Sequence, residues 1–76
     1  MHDLMPYRWT CAEAFEEGVE RTARRQYSEA VSLLERVIEE DPQAFPAYHL
    51  LGFAAGCLGD DKREIENYRK AIKLRP

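Results

Sequence analysis

Cys57 and His49 are the pair in this sequence nearest to a nucleophile and its base, and they stand eight residues apart. On a single helix that separation is roughly 12 Å along the axis, too far for the two groups to share a proton. Cys11 and Cys57 form no CxxC spacing, and no histidine cluster completes a zinc site. The carboxylates follow the spacing of solvated helix faces, and no glycine-rich phosphate loop occurs. Neither catalysis, nor a metal, nor a cofactor is expected from these residue types in this arrangement.

The charge pattern narrows the partners. Fourteen acidic and eleven basic side chains leave a formal net charge of -3, with the signs interspersed along the chain. Arg21, Arg24 and Arg25 form the nearest approach to a basic cluster, but Glu16, Glu17 and Glu20 precede them by about one turn and pair with them on a helix. Nucleic acid is therefore not an expected partner. No run approaches the ~20 apolar residues of a membrane span. Met1 to Thr10 lacks the basic start and apolar core of a secretory signal, so a soluble, cytoplasmic protein with two reduced thiols is expected.

The elements that must position these side chains are helices. Thr10 followed by Glu13 is a capping-box pattern, which predicts a helix from about Cys11 to Arg24. A turn at Arg25 to Tyr27 leads to Ser28, a candidate N-cap for a second helix that Asp41-Pro42 ends. Phe45-Pro46 opens a third helix, with the proline in the first turn where a missing N–H costs little. Gly59-Asp60-Asp61 signals a turn and cap before a fourth helix from about Lys62 to Leu74. No segment shows the period-two alternation of a strand. A chain of 76 residues holds one small domain, which buries only about 60% of its unfolded surface.

These helices repeat. Gly18, Leu34, Val37, Ile38 and Pro42 recur 34 residues later as Gly52, Tyr68, Ala71, Ile72 and Pro76. The second copy also carries Tyr48, Leu51 and the Gly59-Asp60 turn; the first carries Tyr27, Glu29, Ala30 and Asp41-Pro42. This pattern resembles the tetratricopeptide repeat, a 34-residue helical hairpin stacked along an axis. The resemblance implies an all-α fold of two tandem helix-turn-helix hairpins, an α-solenoid fragment of four helices. Residues 1–10 would be a lead-in segment, residues 11–44 repeat one and residues 45–76 repeat two. In such an arrangement Cys11 and Cys57 are offset by twelve helical positions, roughly 18 Å, too far for a disulfide.

Departures from the family pattern carry expectations of their own. Arg25 stands where the motif has a turn glycine, and a left-handed Arg25 would cost about 1–2 kcal/mol, so the first hairpin is expected to turn differently from the second. Glu13, Glu17 and Arg21 form a polar stripe where a preceding repeat would pack. It reads as an N-terminal cap, or as simple divergence. Glu64 replaces a small residue facing the paired helix; either its stem packs and its carboxylate reaches water, or the fourth helix shifts.

By resemblance, the first helices of the two hairpins line a concave groove for extended or helical peptides. The groove residues would be Ala12, Phe15, Val19, Thr22 and Ala23 from repeat one and His49, Phe53, Gly56 and Cys57 from repeat two. Phe15, Val19 and Leu50 stand at positions where one branch of the family grips a C-terminal carboxylate, which disfavours that ligand here. The resemblance further implies that Ile65, Ile72 and Leu74 form an open C-terminal interface against a following helix. The expected role is a non-catalytic scaffold that binds an apolar peptide or partner helix. The alternatives are a self-assembling homo-oligomer, or the N-terminal piece of a longer regulator. The apolar segment His2 to Trp9 either folds into a groove, its own or another copy's, or staples the first helix through Trp9.

Overall fold

The computed structural model describes residues 9–75, and within them every regular element is a helix. Four occur: α1 (Cys11–Ala23), α2 (Tyr27–Glu40), α3 (Phe45–Cys57) and α4 (Asp61–Leu74). α1 pairs with α2 and α3 with α4, and α2 and α3 pack the two hairpins together. The expected groove occupancy by residues 2–8 and the closing Pro76 lie outside the described residues.

Residue choice explains each start and stop. The backbone N–H of Glu13 donates to Thr10 Oγ1 at 3.1 Å, and Thr10 N–H donates to Glu13 Oε1 at 2.9 Å, completing the capping box. Trp9, just outside that cap, is half-buried against the core, and its carbonyl accepts from Arg36 Nη2 at 3.3 Å. At the other end of α1, Gln26 N–H reaches the Arg21 carbonyl at 2.8 Å and Arg25 N–H reaches Thr22 at 3.0 Å. This is a Schellman pair of hydrogen bonds around a residue with positive φ.

Arg25 supplies that residue, with φ 63°. The second hairpin repeats the same bonds around Gly59 (φ 85°): Asp60 N–H to Ala55 at 2.9 Å and Gly59 N–H to Gly56 at 3.0 Å. The expectation of two different turns is thus corrected, since the two backbone bonds outweigh the strain at Arg25. Substituting Arg25→Gly should relieve that strain and stabilise the protein by about 1 kcal/mol, a rise of roughly 4–8 °C in Tm on thermal unfolding.

Ser28 as N-cap is also corrected. α2 begins at Tyr27 with Gln26 at the cap position and no side-chain cap, because the turn that closes α1 runs straight into α2. In the second hairpin the equivalent residue, Asp60, does cap, accepting from Arg63 N–H at 3.2 Å.

The core is built from small residues at helical spacing. Ala14, Ala30, Val31, Leu34, Val37, Ala47, Leu51 and Ala54 form one buried cluster across α1, α2 and α3. Gly18 lets Leu34 approach α1, since a Cβ there would lie 2.9 Å from Leu34 Cδ2. Gly52 does the same for Tyr68 one repeat later. Tyr48 is buried and anchors the loop between hairpins, its hydroxyl donating to the Pro42 carbonyl at 3.1 Å.

Candidate binding surfaces

α3 carries side chains to two different surfaces. Toward the first hairpin, Pro46 and Ala47 close a hollow of about 450 Å³ whose other walls include Cys11, Ala12, Phe15 and Val37. Phe15 is half-buried and packs against the core, while Ala12 is exposed beside it. The Cys11 thiol points at the Val37 carbonyl (3.7 Å) and is pushed up from its ordinary range, chiefly by burial and then by Glu40 and Asp41.

Farther along, Phe53 is 44% exposed and meets Tyr27 edge-on, with ring centroids 6.2 Å apart. The Cys57 side chain, and after it desolvation, pushes the Tyr27 phenol up from its ordinary range. Val19 is exposed on α1, and half-buried Thr22 donates its hydroxyl to the Gly18 carbonyl at 2.7 Å. Tyr27 had no place in the groove as read from sequence. An aromatic beside the turn that starts α2 was the available signal.

His49 and Gly56 sit elsewhere than with Phe53. His49 stacks at a tilt on Tyr68, centroids 5.4 Å apart, and lines a second hollow between α3 and α4. Gly56 faces α4: a Cβ there would lie 2.6 Å from Glu64 Oε2. That gap answers the question about Glu64, whose carboxylate occupies the space the glycine leaves while α4 stays helical. Half-buried Tyr68 has its phenol pushed up by burial first and by the Glu64 charge second.

The second hollow, about 400 Å³, is lined by Phe45, His49, Leu50, Ala71, Ile72 and Arg75 among others. Ile72 is 73% exposed and Ile65 50%, whereas Leu74 is half-buried. Arg75 lies over the Phe45 ring at 5.7 Å.

Along α1, half-buried Arg21 pairs with Glu17 at 2.8 Å and exposed Arg24 with Glu20 at 2.9 Å, so these two arginines are matched within their own helix. Both cysteines are free thiols. Among the described residues no group of three or more His, Cys, Asp or Glu side chains is placed to hold a metal ion. No described helix is long and apolar enough to cross a membrane.

The family model of the tetratricopeptide repeat matches residues 45–76. No curated protein matches the chain.

Proposed function

Because residues 45–76 are a tetratricopeptide repeat and the four helices fit a TPR-like pair of hairpins, a repeat that generally binds protein partners, we propose that this chain is a non-catalytic protein-interaction scaffold. Its ligand is an apolar peptide or helix, held by Ala12, Phe15, Val19 and Thr22 of α1 and by Phe53 and Cys57 of α3. The observation that carries this reading is Phe53: a phenylalanine 44% exposed, propped edge-on by Tyr27 in place of dissolving into the core. Aromatic side chains held rigid at a surface are the usual energetic anchors of an interface. His49 contributes to the far edge of α3 and not to this groove. The two free thiols, one of them exposed, fit a reducing compartment such as the cytoplasm.

Selection of a displayed peptide library on the wild-type chain, followed by calorimetry, tests the groove. Phe53→Asp should weaken the selected peptides at least tenfold, about 1.4 kcal/mol, while the far-ultraviolet circular dichroism stays unchanged. Peptides that bind the variant as tightly as the wild type would sink the groove assignment.

A further inference from the structure

Charge is distributed unevenly around the groove between α1 and α3. α3 runs from Phe45 to Cys57 without a lysine, an arginine or a carboxylate, so it contributes walls and no sign. On α1, Glu17 and Glu20 are taken up by Arg21 and Arg24, and Glu13 closes the capping box. Glu16 remains. It is exposed, four residues after Ala12 and three before Val19, which places it on the strip of the helix that holds both. Among the described residues no lysine or arginine is paired with it. Its counterpart 34 residues later is Leu50, so the acid belongs to the first hairpin alone.

The end of α2 adds to the same sign. Glu39, Glu40 and Asp41 follow one another where the helix stops, and its last turn holds no basic residue. The free carbonyls of a helix C-terminus already carry partial negative charge, which favours a cation and disfavours carboxylates. α1 and α4 place Arg21 and Lys73 in their last turns. Arg36, farther back on α2, reaches Glu40 at 3.0 Å. Asp41 is exposed, its Oδ1 accepting from Gln43 N–H at 3.2 Å, and it is the one charged residue among those lining the hollow of Cys11, Phe15, Pro46 and Ala47. The field reaches inside: after burial, Glu40 and Asp41 are what push the Cys11 thiol up. Apolar walls around charges of one sign concentrate such a field.

A purely apolar side chain matches those walls and leaves Glu16 and Asp41 with no counterpart. A carboxylate or a phosphate is repelled by both. Lysine or arginine meets both needs, since its aliphatic stem lies along apolar surface while its charged head stays in water beside the carboxylates.

We propose that the groove selects, among apolar peptides of partner proteins, those that carry a lysine or arginine next to the apolar anchor, with the cation met by Glu16 and Asp41. This rests on the groove reading given above and adds the charge of its ligand.

A displayed library of random peptides of about 12 residues, roughly 40 Å when extended, selected on the full chain at low ionic strength, is the probe. In the peptides that Phe53→Asp fails to hold, lysine and arginine should outnumber aspartate and glutamate by about threefold. Synthetic copies with the basic residue replaced by glutamine should bind about fivefold more weakly in fluorescence anisotropy, a gap that added salt narrows. Glu16→Gln with Asp41→Asn should close that gap while binding of the glutamine copies stays the same. Asp61→Asn with Glu66→Gln removes as much charge from exposed positions on α4 and should leave the gap in place.

Selected peptides without an excess of basic residues, or a gap that survives Glu16→Gln with Asp41→Asn, overturn the charge preference and leave the groove standing. Peptides held equally well by Phe53→Asp overturn both. A concentration-dependent oligomer in sedimentation that Glu16→Gln with Asp41→Asn dissociates overturns the proposal as well, because another copy would then be the occupant. So does an Arg8→Gln variant that binds the selected peptides about tenfold more tightly, which would make residues 1–8 of the chain itself the occupant.

Discussion

Leu34→Ala is expected to be the most damaging single truncation in the chain, costing about 2–5 kcal/mol in urea unfolding followed by circular dichroism. Leu34 is fully buried at the centre of the α1–α2 hairpin and fills the space in front of Gly18. Removing its isopropyl end leaves a void bounded by a glycine that has no side chain to move into it. A domain of this size has a total stability of only about 4–11 kcal/mol, so the variant should be substantially unfolded at moderate urea. Ile72→Ala is the control: at 73% exposure it should shift stability by less than about 0.5 kcal/mol. Equal effects of the two would mean that the centre of the core lies elsewhere.

Gly52→Ala should also destabilise the protein, against the ordinary preference of helices for alanine. A Cβ at Gly52 would lie 2.7 Å from Tyr68 Cδ1, 2.8 Å from Cε1 and 3.2 Å from the Glu64 carbonyl oxygen, so the ring and the backbone of α4 must both give way. Overpacking of this kind costs about 1–3 kcal/mol, against which helix propensity returns about 1 kcal/mol. Gly18→Ala meets Leu34 in the same way, at 2.9 Å from Cδ2 and 3.1 Å from Cγ of a side chain that is fully buried, so it too should destabilise. Tyr68→Leu in the Gly52→Ala background should recover much of the loss, read as a coupling energy in a double-mutant cycle. A Gly52→Ala protein as stable as the wild type would show that α3 and α4 are not held at this separation.

The close approaches at Gly18 and Gly52 explain why so much of the fold was legible in the sequence. A glycine opposite a large residue at a constant 34-residue offset marks two helices that touch, and Thr10 with Glu13, Asp41-Pro42 and Gly59-Asp60 mark where helices start and stop. Ser28 misled because a cap is read from one residue, whereas the start of α2 follows from the turn before it. Arg25 misled in the opposite direction: a side chain disfavoured at positive φ is tolerated when two backbone hydrogen bonds depend on that geometry. Within the candidate surfaces, the family resemblance names residues that stand outside, such as Phe53 and Ile72. It does not say which neighbour each one meets. His49 joins Tyr68, and Gly56 makes room for Glu64, through contacts between helices that no spacing along one helix encodes.

α4 is anchored unevenly, with Ala71 its single buried residue and two isoleucines facing water, while α2 contributes five buried residues and is flanked on both sides. Local opening free energies follow such differences in burial, so hydrogen exchange should find the α4 amides less protected than those of α2.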